Sequence, residues 1–154
     1  MIISLRGATH ADLDVLARLN NQLIEDEGHR NPMSIPELAG RMRGWLRDGW
    51  NADLFVRVAP SEADVIVGYA LYQHRKDEFF PERRIVYLRQ FLIEREYRRQ
   101  GVGRTALQQL FATRFPSPCT VVVEVLTANA HGLSFWQAVG FHPYEMTLHA
   151  LVGP

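Results

Sequence analysis

The stretch of this chain whose residue types could do chemistry is Leu92-Ile93-Glu94-Arg95-Glu96-Tyr97-Arg98-Arg99-Gln100-Gly101-Val102-Gly103-Arg104. An apolar run passes into a basic, glycine-containing segment, and a helical pattern opens from it. The first-turn N–H groups of a helix have no partner inside the helix and carry partial positive charge. Gly101 and Gly103 remove side chains that would hold an anion away. Arg98, Arg99 and Arg104 add full charges whose planar forks suit phosphate oxygens. Together these features make a cradle for a diphosphate. A solvated basic turn before an ordinary helix would account for the arginines alone. It does not account for two glycines at a helix start, where each costs about 1 kcal/mol against alanine.

A dinucleotide-binding fold is the first rival. Gly101-x-Gly103-x-x-Ala106 matches its loose glycine fingerprint, and Glu124 lies near the distance expected of a ribose ligand. That fingerprint sits tight against its strand, however, whereas the charged hexamer from Arg95 to Gln100 intervenes here. Too few residues follow Glu124 for the remaining strand and helix units.

A second block narrows the reading. Glu124-Val125-Leu126-Thr127-Ala128-Asn129 is followed by Ser134-Phe135-Trp136-Gln137-Ala138-Val139-Gly140-Phe141. With Arg98-x-x-Gly101-x-Gly103, this resembles the acyl-CoA signature and the closing strand, loop and helix of the GNAT superfamily of N-acyltransferases. The likeness is close over roughly residues 84–142 and loose over the whole element order. It implies an N-acetyltransferase that moves an acetyl group from acetyl-CoA to a primary amine of a small molecule or peptide. The attack is direct, within a ternary complex.

By the same resemblance, the backbone of Phe91, Leu92 and Ile93 pairs with the pantetheine arm. The segment Arg98, Arg99, Gln100, Gly101, Val102, Gly103 and Arg104 holds the pyrophosphate. Asn129 and Trp136 fall among the cofactor-contacting positions, although a helix N-cap would explain Asn129 equally well. Many relatives carry a tyrosine where this chain has Trp136, and that tyrosine protonates the leaving thiolate. An indole has no acidity to offer, so packing becomes the natural role of Trp136 and the general acid stays unassigned. This departure also keeps a second reading open: a CoA-sensing or protein-interaction module of the same fold with reduced catalysis.

The chemistry asks for a base, because an alkyl ammonium with a pKa of about 10.4 cannot attack a thioester until it loses a proton. It also asks for a donor to the oxyanion, which a backbone N–H near Ile93 supplies in the family. Glu124 is the first choice of base. It sets one carboxylate among Val121, Val122, Val123, Val125 and Leu126, and apolar neighbours favour proton uptake by a carboxylate. Glu94, at the end of the central strand, is a further candidate. Glu25, Asp26 and Glu27 are alternatives, read as a loop after the first helix. Glu25 and Glu27 there would bind a cationic amine.

These residues need elements to position them. Ile2 to Arg6 reads as a strand. Thr9 with Asp12, and Ser34 with Glu37, are capping signals. They precede one helix striped by Leu13, Leu16, Leu19 and Leu23 and another striped by Leu38, Met42, Trp45 and Leu46. Asp53 to Ala59 and Val65 to Gln73 read as a hairpin around a turn at residues 60–64, and Arg84 to Ile93 as a third strand. Gly101 to Phe115 reads as a helix burying Val102, Leu107, Leu110 and Phe111. Cys119 to Leu126 reads as a strand and Ala130 to Val139 as a helix closed by Gly140. Phe141 to Val152 completes the pattern with one or two last strands. The class is α/β (α+β), a GNAT-like mixed and mostly antiparallel sheet flanked by about four helices, in the order β-αα-βββ-α-β-α-β.

Composition bounds the rest. The 154 residues suit one N-acetyltransferase domain over residues 1–154, and 47% apolar residues suffice for a core. Seventeen basic residues balance seventeen acidic ones, which argues against nucleic acid as a partner. No apolar run is long enough for a membrane span, and one cysteine, Cys119, fits a cytoplasmic protein. The histidines at positions 10, 29, 74, 131, 142 and 149 lack ligand spacing, so no metal is expected. A homodimer is compatible with such a domain, and neither oligomeric state nor acceptor can be read from the chain.

Overall fold

Two capping boxes start the first two helices. The Thr9 hydroxyl accepts from the Ala11 N–H at 3.3 Å, and Asp12 Oδ2 accepts from the Thr9 N–H at 2.9 Å. The resulting 3₁₀ turn, His10–Asp12, runs into α1 (Leu13–Glu27). Ser34 and Glu37 repeat the device for α2 (Ile35–Arg47), with Pro36 in the first turn, where an amide hydrogen is not needed. Helix α1 continues through Glu25, Asp26 and Glu27, which the sequence reading places in a loop. It stops only at Gly28, whose φ of +67° is cheap for glycine alone.

The computed structural model describes residues 1–28 and 30–154. His29, one of the six histidines considered above, lies outside the described residues. The chain divides into two compact units, Met1–Glu124 and Val125–Pro154.

The first unit holds a five-stranded sheet: β1 (Ile2–Gly7), β2 (Asn51–Ala59), β3 (Glu62–Lys76), β4 (Arg84–Ile93) and β5 (Thr120–Val122). The strands lie in sequence order, antiparallel from β1 to β4 and parallel between β4 and β5. The parallel step is crossed by α3 (Val102–Thr113). On one sheet face, Leu13, Leu16, Leu19, Leu23 and Met42 of α1 and α2 pack on Ala52, Leu54, Tyr69, Leu71 and Leu92. Residues alternating with these face the other way. Tyr72 meets Phe115 (ring centroids 5.0 Å apart), and Asp53 meets Arg114 at 3.0 Å, both at the end of α3. Helix α3 buries Val102, Ala106, Leu107 and Leu110. Phe111, expected on that buried side, is 39% exposed and lies beside Phe115 instead, because the buried face follows the Val102, Ala106 and Leu110 row and Phe111 sits one residue past it around the helix.

Strand β5 is shorter than the run of β-branched residues suggests. It pairs with Ile85–Tyr87 of β4 through residues 120–122 and then leaves the ladder. The register between β3 and β4 explains this divergence. Leu71 faces Gln90 while Tyr72 faces Leu88, so Arg89 is an extra residue in β4. Such a bulge bends its strand and adds twist. In the second unit, α4 (Ala130–Ala138) begins at Asn129 and ends before Gly140, at φ +105°. The strands expected over Phe141 to Val152 do not form. A strand exists only by pairing, and none of these residues enters a ladder.

Candidate active site

Past the bulge, residues 88–93 of β4 keep β3 on one side and have no strand on the other among the described residues. The Glu94 N–H donates to the Val67 carbonyl at 2.8 Å. Antiparallel ladders alternate the direction of successive amides. The N–H groups of Leu92 and Glu94 therefore point to β3, and those of Phe91 and Ile93 point to the opposite edge. An outward amide such as that of Ile93 can pair with an extended chain as a further strand would. Gly68 permits this arrangement. A Cβ there would lie 2.1 Å from the Leu92 carbonyl oxygen, so only glycine lets β3 approach β4 so closely.

From this edge the chain makes a 3₁₀ turn (Arg95–Tyr97) and reaches two left-handed residues, Arg99 at φ +61° and Gly101 at φ +77°. Hydrogen bonding within α3 begins with the Thr105 N–H, which donates to the Gly101 carbonyl at 3.1 Å. The amides of Val102 and Gly103 thus have no partner within the helix. A Cβ added at Gly101 would meet nothing within 4 Å, so the space beside this backbone is open. Arg99 and Arg104 are exposed, and Gln100 Nε2 donates to the Glu96 carbonyl at 3.0 Å. Residues 98–104 therefore combine open space beside Gly101, exposed arginines at 99 and 104 and a helix start, features that suit a diphosphate.

The last turn of α1 grips this loop. Asp26 Oδ2 accepts from Arg98 Nη2 at 2.5 Å, and Asp26 Oδ1 accepts from Arg95 Nε at 2.8 Å. Glu25 accepts from Arg95 Nη2 at 2.9 Å, and Gln22 from the Arg95 N–H at 3.2 Å. Arg98 Nε closes the clamp on the Ile93 carbonyl at 2.7 Å. Burial pulls the Asp26 carboxyl up, but the hydrogen bonds from Arg95 and Arg98 outweigh it and hold the group below the usual range. Arg98, read from the sequence as a phosphate ligand, has its guanidinium committed to this brace.

Glu27 stays outside the clamp. Burial first, and the neighbouring Asp26 charge second, push its carboxyl up. Glu94 is half-buried, and its carboxylate has no hydrogen bond among the described residues. Glu124 lies two residues beyond the end of β5 and is exposed, not set in an apolar strand as expected. It accepts the Tyr87 hydroxyl proton in a short hydrogen bond. Burial and then the Glu124 carboxylate push the Tyr87 hydroxyl up.

Asn129 and Trp136 belong to the second unit. Asn129 Oδ1 accepts from the Gly132 N–H at 3.0 Å, which makes it the N-cap of α4. Trp136 meets Phe135 and Phe141 edge-on, each with ring centroids 5.0 Å apart. Among the described residues, no group of three or more His, Cys, Asp or Glu gathers as a metal site requires. No helix among them is long and apolar enough to cross a membrane.

The family model of the acetyltransferase (GNAT) family matches residues 18–141. The chain belongs to the GNAT acetyltransferase family. It is therefore an acyl-CoA-dependent acetyltransferase, in a family whose acyl donor is acetyl-CoA. A thialysine N-epsilon-acetyltransferase of Bos taurus is 26% identical over 143 residues, which span 90% of this chain and 83% of the bovine one. An acetyltransferase of Trypanosoma brucei shares the fold with a TM-score of 0.68 at 20% identity, over 98% of this chain and 100% of its own. The aminoglycoside N-acetyltransferase AAC(6')-Iy, solved in complex with CoA, does so with a TM-score of 0.69 at 18% identity, over 98% and 95%. Identities this low show the fold alone.

A buried polar pair between β3 and β4 went unread in the sequence. Tyr69 is wholly buried, and its hydroxyl donates to Gln90 Oε1 at 2.7 Å on the face covered by α1 and α2. Its hydroxyl is pushed well up, by burial above all and then by the Glu27 charge. The signal available was Arg89-Gln90, two successive polar residues that break the alternation of an otherwise apolar strand.

Proposed function

We propose that this acetyltransferase moves the acetyl group of acetyl-CoA to a primary amine of a small molecule or peptide, by direct attack in a ternary complex. The observation that carries the reading is the outward-facing Ile93 N–H at the end of β4, beyond the reach of β5, with the chain running on into the open backbone of Gly101 and the start of α3. An extended pantetheine arm suits the edge. The Arg99–Arg104 backbone suits the diphosphate, with the exposed charges of Arg99 and Arg104 beside it. The Ile93 N–H is the donor for the oxyanion that forms as nitrogen bonds to the carbonyl carbon and the carbon–sulfur bond breaks. The bovine relative, whose name places its acetyl group on an ε-nitrogen, is consistent with an alkyl amine acceptor. We take residues 1–154 as one acetyltransferase domain, because the family match crosses the boundary between the two units.

Among the carboxylates, Glu94 follows the Ile93 amide directly and is unpartnered, which makes it the base of choice, direct or through one water. Glu27, with its raised carboxyl, suits contact with the incoming ammonium. Glu25 is occupied by Arg95 and Asn21, and Glu124 by the Tyr87 hydroxyl. The test is thiol release from acetyl-CoA with a panel of amines, run beside calorimetric CoA binding. Glu94→Gln is expected to lower kcat by about 10²–10⁴ with CoA affinity retained. CoA binding without thiol release from any amine would mark the protein as a sensing module, not an enzyme. Equal kcat in Glu94→Gln would return the base to Glu124.

A further inference from the structure

Beside Tyr69 and Gln90 lies a pair of cations that the transfer chemistry does not use. The bulge in β4 sends Arg89 and Gln90 to the same face, toward α1 and α2. The Arg89 guanidinium lies 5.0 Å from the centre of the Trp45 ring on α2. Arg41, one turn earlier on the same helix, lies 4.6 Å from that centre. Two arginines thus share one indole. Stacking on the ring offsets part of the cost of each charge, but like charges held together repel. Arg41 accordingly loses basicity, first through burial and then through Arg89.

Neither arginine forms an ion pair among the described residues, in a chain where Arg95, Arg98 and Arg114 all find carboxylates. Arg41 has one polar partner, Asn20 Oδ1 at 3.2 Å, and its Nε is buried with no acceptor. Asn20 Nδ2 beside it is buried and unpartnered as well. The Glu27 charge reaches the neighbouring Tyr69 but pairs with neither arginine. Arg89 is exposed, so the pair is open to an arriving acceptor, and the buried Nε of Arg41 is costly until one satisfies it.

We infer that Arg41 and Arg89, held over Trp45, form a carboxylate-binding site that selects acceptors bearing an acid group several bonds from the reacting amine, as in an ω-amino acid. Planar guanidinium forks recognise carboxylates in bidentate fashion. The site lies on the strand that supplies the Ile93 amide. Arg89 precedes Ile93 by four residues, on the order of 13 Å of strand, a span for an elongated molecule and not for an α-amine. This assignment rests on the transferase reading above and names the acceptor class for the same site.

The test compares 6-aminohexanoate with its neutral isostere 6-aminohexanamide as acceptors. The wild-type protein is expected to favour the carboxylate in kcat/KM, and Arg89→Gln to cut the carboxylate-to-amide ratio by 10- to 100-fold, with partial return in Arg89→Lys. A ratio near one in the wild-type protein, or one unchanged in Arg89→Gln, overturns the inference. Calorimetric titration with 6-acetamidohexanoate reads the site without turnover. Binding at least tenfold weaker in Arg89→Gln is expected, and equal binding by a folded variant overturns the inference. If no acceptor releases thiol while that difference in binding persists, the transferase reading falls and the carboxylate site stands.

Discussion

Replacing Asp26 by Asn tests whether the end of α1 holds the loop between β4 and α3, the proposed cofactor loop, in shape. Asp26 is 20% exposed and Arg98 38%, with 2.5 Å between their bonded atoms, and Arg98 in turn holds the Ile93 carbonyl. A hydrogen bond to a charged group contributes about 1.5–3 kcal/mol when buried. Exposed ion pairs contribute about 0.2–1 kcal/mol, because water and salt screen them. The half-open Asp26–Arg98 pair falls between, at about 1 kcal/mol after that discount. For a chain of this size, about 1 kcal/mol moves Tm by roughly 2–4 °C. The sign with pH follows from the lowered carboxyl of Asp26. A group whose folded pKa is depressed adds stability above its unfolded value, near 3.9 for Asp, and loses it as pH falls through the folded value. Thermal melts of both proteins should therefore differ by a few degrees at pH 7 and at pH 5. They should converge as the pH drops below about 4. CoA affinity, measured by calorimetry at pH 7, should fall several-fold as Arg98 releases the Ile93 carbonyl and the loop loosens. Equal Tm values at pH 7, or a gap of constant size into the acid range, would show that Asp26 is not the brace.

Gly101→Ala places a Cβ where the protein has no atom within 4 Å, so folding bears only the left-handed backbone cost of about 1–2 kcal/mol. Calorimetry should nonetheless show CoA affinity reduced tenfold or more, and unchanged affinity would remove the diphosphate from this loop. Gly68→Ala drives a Cβ to 2.1 Å from the Leu92 carbonyl, an overlap that only a backbone shift relieves. Urea unfolding should show a loss of about 1–3 kcal/mol or more, together with weaker CoA binding as the β4 edge moves. Glu27→Gln should act in the opposite direction to Asp26→Asn. A raised carboxyl adds stability at low pH and loses it as pH rises through the folded value, so the neutral amide should raise Tm at pH 7 and give no gain near pH 4. A destabilised Glu27→Gln at neutral pH would mean that its charge has a partner.

What could be read from the residues was local. Thr9 with Asp12 and Ser34 with Glu37 contain their own hydrogen-bonding instructions within four residues, and both boxes form. Strand β4 runs from Arg84 to Ile93 as its apolar core and charged flanks dictate. Gly101 stands at the head of α3, where glycine alone takes the backbone angle at little cost. What could not be read depends on partners far along the chain. The β-branched residues around Val122 have strand propensity throughout, but β4 bends away at Arg89 and withdraws the ladder they would need. The residues after Phe141, expected as strands, enter no ladder either. Propensity for a strand is a preference for a pleated surface, and that surface must be supplied by another segment.

Arg98 shows how this division reaches the chemistry. A guanidinium suited to a phosphate is equally suited to a carboxylate, and nothing between Glu94 and Arg104 says which will take it. The answer comes from α1, 72 residues earlier in the chain, whose last turn survives through Asp26 because Gly28 ends it one residue after Glu27. With Arg98 committed there, the proposed attraction for a diphosphate rests on the backbone from Arg99 to Arg104 and on the exposed charges of Arg99 and Arg104. The same bond fixes the Ile93 carbonyl, and with it the peptide plane that leads to Glu94. An arginine spent on a carboxylate thus ties the end of β4 to the loop before α3, the two ends of the proposed cofactor site. That is a positioning role which a motif alone does not distinguish from binding.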